Sequence, residues 1–254
     1  MSEKGDQPTH LPVEPAEIEL RGYHLALAFH PPIRLERKKG LELALALSDY
    51  IDPSNVQLEG HQWRLSQPIS GTPKSSLNIV IEQKRIQVEA VFPGHAKEWL
   101  EERFSAVLQE FRKTSKPELV LASGAMIRAV LQIDGDAREF LARHVMSLDP
   151  SRTDSFGRPI HLVGLRFFFP PFALQKGKDE RAITDWQVDV KAESLIEDPS
   201  KLFLEADGRW QDTMPWNGEN ERKVIDRIKV VSDYLQENVV AFLRAQENRG
   251  MEDG

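Results

Sequence analysis

The chain predicts an α+β protein built from two repeated β-α-β-β-β-α units, with antiparallel sheets covered by helices on one face. Three observations carry that expectation. A hairpin followed by an amphipathic helix occurs at residues 77–111 and again, in longer form, at 186–242. The order strand, helix, strand precedes each of them. The strand-like runs alternate apolar and polar residues, as antiparallel strands with one wet face do. On this reading residues 17–116 and 117–246 are the two units, and 1–16 and 247–254 are flexible tails.

The first tail combines polar residues with Pro8, Pro12 and Pro15, too little apolar area to offset its ordering entropy. A strand follows at 23–29, where Leu25, Leu27 and Phe29 alternate with Ala26 and Ala28 until Pro31-Pro32 ends it. Leu, Ala and Glu are strong helix formers and predict a helix over 41–50, broken by Asp52-Pro53-Ser54-Asn55. Val56, Leu58, Trp63 and Leu65 predict one strand over 56–65, and the Pro/Ser/Gly-rich stretch 67–75 a loop. Residues 77–81 and 86–92 form a hairpin turning at Gln83-Lys84. In 96–113, Leu100, Phe104, Val107, Leu108 and Phe111 share one helix face.

The second unit opens with a strand within 119–133, in which Ile127, Ala129, Leu131 and Ile133 alternate. Asp134-Gly135-Asp136 turns it into a helix over 137–147, with Asp136 as N-cap and Glu139 in the capping-box position. Residues 149–159 read as loop and 160–169 as a strand closed by Pro170-Pro171. There Phe167 and Phe169 point to one side and Phe168 to the other, which predicts a central strand buried on both faces. The same aromatic run is a candidate wall for a ligand pocket. Strands at 186–196 and 202–210 flank the turn 197–201, and the last helix spans 220–246. Its Val224, Ile228, Val231, Leu235, Asn238 and Phe242 make a heptad-like seam in which Asn238 is the polar position that fixes register in a helix pair. Ile225, Val239 and Leu243 widen the stripe and favour docking on the chain's own sheet. Both uses coexist if the helix outruns that sheet.

Composition narrows the function. Of 254 residues, 40% are hydrophobic and 29% charged, with a net charge of −7, so no overall basic field draws in phosphate backbones. The absence of cysteine removes disulfides, thiolate metal sites and cysteine nucleophiles, and fits a cytoplasmic protein. Residues 1–19 have no apolar h-region, and no run reaches the ~18 apolar residues of a membrane span. GxSxG, GxxxxGK[ST] and a GxGxxG following a strand are all missing, which argues against the common hydrolase and nucleotide-binding classes.

The remaining candidates each have a plainer alternative. Asp134 and Asp136 offer two hard oxygen ligands, but a helix cap explains Asp136 as well. Asp185, Asp189 and Glu193 share one side of a strand, as solvated acids usually do. His10, His24, His30, His61, His95, His144 and His161 show no zinc-ligand spacing. Trp210, Met214, Pro215 and Trp216 surround a loop and either fold back as a lid or face a partner.

The expectation is therefore a non-catalytic binding or assembly protein. It would take a protein segment, a second copy of itself or a small hydrophobic ligand through a sheet face or inter-unit groove, using Trp210, Trp216 and Asn238. No catalytic residue, metal or cofactor is assigned. A metal-assisted hydrolase joining Asp185 or Asp189 to His161 ranks second. A nucleic-acid accessory protein using Arg34, Arg37, Lys38 and Lys39 ranks third.

Overall fold

The structure, a computed structural model, describes residues 18–69, 75–91, 97–148, 157–158, 160–171 and 185–252. The first half holds β1 (Ile18–His30), α1 (Arg37–Ala46), β2 (Val56–Leu58), β3 (Trp63–Pro68), β4 (Ser76–Ile81), β5 (Arg85–Val91) and α2 (Lys97–Ser115). The second half holds β6 (Leu119–Gln132), α3 (Ala137–Phe140), β7 (Gly164–Phe169), β8 (Trp186–Ser194), β9 (Lys201–Trp210), β10 (Met214–Pro215), α4 (Gly218–Tyr234) and α5 (Ala241–Glu252). All ten described strands join one sheet in the order β2-β3-β4-β5-β1-β6-β9-β8-β7, with the two-residue β10 beside β6. Every pairing is antiparallel.

The long strands β1 and β6 form the centre, paired from Ile18↔Leu131 to His30↔Leu119. Alternation then decides which side is covered. Tyr23, Leu25, Leu27 and Phe29 are buried on the helix side, as are Leu202, Leu204 and Ala206 of β9. Their neighbours His24, Ala26, Ala28, Glu205 and Asp207 lie on the helix-free side, partly open to solvent. Each large aliphatic side chain so buried contributes about 1.5–3 kcal/mol. The apolar stripe of α2, from Leu100 to Phe111, is buried together with Val224, Ile228 and Val231 of α4 in the same core. Helix α4 approaches β9 closely at Gly208, where an added Cβ would lie 2.6 Å from Val231 Cγ2 and 2.9 Å from Trp186 Cζ3. Among the described residues no helix is long and apolar enough to cross a membrane.

Several local expectations change. The stretch expected as one strand over 56–65 is the hairpin β2–β3, because apolar side chains alternate on both arms and hide the turn at Gly60. Helix α3 keeps α geometry only to Phe140 and then widens into a π-type turn, Leu141–Val145. The last helix does not end at residue 246: α5 continues to Glu252, and the buried Glu247 accepts a hydrogen bond from the Asp134 N–H at 2.9 Å. The strand expected over 160–169 begins at Gly164 and lies at the edge of the sheet, not at its centre. A run apolar on both faces cannot distinguish these two situations by periodicity. The tail at 1–16 and most of the expected loop at 149–159 lie outside the described residues.

Candidate binding site at the free sheet edge

Strand β7 pairs with β8 from Gly164↔Glu193 to Phe169↔Val188, and no described strand pairs with its other side. Among the described residues the outer side of this six-residue strand is thus unpaired, its alternate N–H and C=O groups pointing away from β8, whereas the opposite edge is the three-residue β2. An open edge is a template for a further strand. Its side chains are unusually apolar for that position: Phe167 is 39% exposed, Phe168 57% and Phe169 43%. Phe167 and Phe169 lie on the helix side, and Phe168 and Arg166 on the other.

The other wall is the last helix. Asn217 caps α4, its side chain accepting from the Asn220 N–H at 2.9 Å. After Tyr234 the helix opens into a second π-type turn, Leu235–Val240, before continuing as α5. Bonds of the i→i+5 kind fit one more residue into the turn and rotate the face that follows. Val239, Val240 and Leu243 consequently take the inward positions, while Asn238 and Phe242 face outward. Between helix and strand lies a groove of about 250 Å³ lined by Leu165, Phe167, Phe169, Tyr234, Asn238 and Phe242 among others. Asn238 brings the groove a polar side chain; nearly everything else in its lining is aliphatic or aromatic.

An aromatic row connects this groove to the interior. Phe242 meets Phe167 edge-on at 6.3 Å, and Phe169 meets Tyr234 at 6.5 Å. Tyr234 meets Trp186 edge-on at 5.5 Å, and Trp186 stacks on Trp210 at 5.1 Å. The row ends with the Arg227 guanidinium 4.8 Å from the Trp210 ring. Burial pushes the Tyr234 hydroxyl pKa up. Trp210 and Asn238 therefore belong to one continuous structure, the first in its buried root and the second at its open end. Trp216 lies elsewhere. It is 6% exposed, packs on Phe29 and Phe111 at 5.8 and 5.5 Å, and donates from Nε1 to Glu221 at 2.8 Å.

The helix-free face is polar. Arg128 bridges Glu205 at 2.8 Å and Glu89 at 3.1 Å. Burial works against its charge, but the two carboxylates outweigh it and raise its pKa. Arg166 holds Asp189 through Nε at 2.7 Å, and Arg209 holds Asp207 at 2.9 Å. His24 sits among these groups, its pKa lowered by burial against the pull of Glu89. A shallow cleft of about 470 Å³ above Ala26, Ala28, Ala122 and Gly124 continues this face.

The other sequence candidates are dispersed. The hydrogen bond from Arg166 holds Asp189 below the usual carboxylate range, leaving a weakly basic, engaged group. Asp185 lines a different cleft with Arg222, Lys223 and Asp226, and His161 is exposed ahead of β7. Asp136 caps α3, accepting from the N–H groups of Arg138 at 2.8 Å and Glu139 at 3.3 Å. Lys38 and Lys39 pair with Glu42 and Glu36 on α1.

Fold and groove together describe an α+β protein with one antiparallel sheet, helices on one face and an apolar cleft at one edge. Compared with known proteins, the chain matches no family model and no curated sequence. Tyr234 and Phe242 as groove walls were not singled out by sequence. The outward turn of Phe242 depends on the π-type turn, and the only hint was an aromatic at the far end of a seam that outruns its sheet.

Proposed function

We propose that this chain is a non-catalytic binding or assembly protein that takes an apolar, extended protein segment along the β7 edge and into the adjoining groove. One observation carries the reading: three phenylalanines, Phe167, Phe169 and Phe242, stand 39–43% exposed around an apolar cleft beside the outer edge of β7, and Phe168 is 57% exposed on the opposite face of the same strand. Contiguous exposed apolar surface beside an open edge is the chemistry of strand addition, in which main-chain bonds supply affinity and side-chain pockets supply selectivity. Asn238, at the rim, would offer an amide to the backbone or side chain of the bound segment. Trp210 would support the groove from behind through Trp186 and Tyr234.

The experiment is titration of the dilute protein with the hydrophobic dye anilinonaphthalene sulfonate. Phe242→Glu should weaken dye binding at least fivefold while thermal unfolding stays near that of the parent. Unchanged dye affinity in that variant sinks the reading.

The same proposal includes an ancient duplication. Outward from β1 lie β5, β4 and β3, and outward from β6 lie β9, β8 and β7. In each half a helix follows the first strand, and a longer helix follows the hairpin that flanks it. The shared order supports two copies of one unit joined along β1 and β6. β7 would then be the outermost strand of the second copy, left open where the first copy continues into β2.

A further inference from the structure

We propose that the segment received by the β7 edge is β7 of a second copy of this chain, in the antiparallel register that places Phe167 opposite its own symmetry mate. This rests on the reading of the groove as a strand-binding site and names its occupant. A strand added beside β7 must present apolar side chains to both faces of the extended sheet, since Phe167 and Phe169 are uncovered on one face and Phe168 on the other. β7 itself is such a strand, and among the described residues no other strand has an open edge with exposed large apolar side chains on both faces. A twofold contact makes the same patch serve as both site and ligand.

The position of the single charge selects the register. Residues opposite each other in an antiparallel pair share a face, so the twofold axis must pass beside one residue. An axis at Arg166 would set two guanidinium groups directly opposite each other, which is repulsive. An axis at Phe168 would set Arg166 against Pro170 and Leu165 against Pro171, which have no N–H for the ladder. An axis at Phe167 pairs residues 165–169 throughout. It sets Leu165 against Phe169 on the helix side and Arg166 against Phe168 on the other. The Arg166 side chain is 71% exposed even while it holds Asp189, so its outer face remains available to a ring. The grooves of the two copies then meet on one sheet face, closed by Phe167 from both sides.

The cysteine-free chain allows a direct test. Full-length protein carrying Phe167→Cys, Phe168→Cys or Arg166→Cys is oxidised at micromolar concentration, and covalent dimer is quantified. Directly opposed residues lie about 4.5–5.5 Å apart between Cα atoms, within the range a disulfide spans. Phe167→Cys should give at least tenfold more covalent dimer than Phe168→Cys or Arg166→Cys alone, and an equimolar mixture of the latter two should cross-link to each other. Sedimentation of the parent should show a dimer that Phe167→Arg converts to monomer, with its circular dichroism unchanged. A parent that stays monomeric up to hundreds of micromolar overturns the inference, as does cross-linking at residue 168 that matches residue 167. Either of those results with the dye titration intact leaves the groove to a different apolar strand. Failure of the dye titration removes the strand-binding reading itself.

Discussion

Arg112 on α2 donates from Nε to Glu221 on α4 at 2.6 Å, across 109 residues of chain. The carboxylate is 3% exposed and also accepts from Trp216 Nε1 at 2.8 Å. One buried acid thus fastens the two long helices to each other and to the loop between β10 and α4. Glu221→Ala strands the indole N–H in the core and leaves Arg112, still a third exposed, facing an empty site. The expected loss is about 2–3 kcal/mol, below that of a fully buried ion pair because Arg112 retains water. Urea denaturation measures it. A loss under about 0.5 kcal/mol would mean that this contact does not hold the helices.

Trp216 shares that cluster with Phe29 and Phe111. Trp216→Ala should remove about 3–5 kcal/mol, as large aromatic truncations in cores do. Thermal unfolding is the readout. A melting temperature equal to that of the parent would restore Trp216 as a surface residue free to meet a partner.

Gly208 lets α4 pack tightly against β9. The methyl group of Gly208→Ala would overlap Val231 and Trp186, and the latter is held by its stack on Trp210. Overpacking of this kind costs about 1–3 kcal/mol. Near-ultraviolet circular dichroism should also change, since the tryptophan pair must move. An unaltered tryptophan signal would contradict the packing described for this row.

Asp136 gives the fold a pH dependence of known sign. The Arg138 guanidinium, joined by backbone N–H groups, brings its carboxyl down from 3.8 to about 2. A depressed acid stabilises the fold above its unfolded pKa and ceases to do so as pH falls through the folded value. The contribution should be present above about pH 4 and fade between about 4 and 2. At neutral pH, Asp136→Ala should cost about 1 kcal/mol through the lost cap. The difference from the parent, followed by thermal unfolding against pH, should shrink across that window. A difference independent of pH would remove the charge from the account.

Substitutions on the groove should separate binding from stability. Phe168 is 57% exposed on the helix-free face, so Phe168→Ser should change stability by less than about 0.5 kcal/mol. The same change removes a ring from the β7 edge and should lower self-association by tenfold or more in sedimentation. Association equal to the parent would place the contact elsewhere.

What the chain determines by itself is local and periodic. The apolar stripes of α2 and α4, the β4–β5 and β8–β9 hairpins and the capping by Asp136 follow from side-chain spacing, because helix and strand periods place those residues on one face wherever the element ends up. Antiparallel pairing with a wet face follows as well, since alternation leaves His24, Ala26 and Ala28 opposite Leu25, Leu27 and Phe29. Only the tertiary structure decided how the strands are ordered, and with that, which apolar residues stay uncovered. Phe167 to Phe169 read as interior because their pattern is that of a central strand; their exposure follows from β7 having only β8 beside it among the described strands. Asn238 and Phe242 read as one seam with Val224 and Leu235 until a π-type turn rotated them toward the groove. A site made at the junction of an edge strand and a helix end, far apart in sequence, leaves no spacing to recognise.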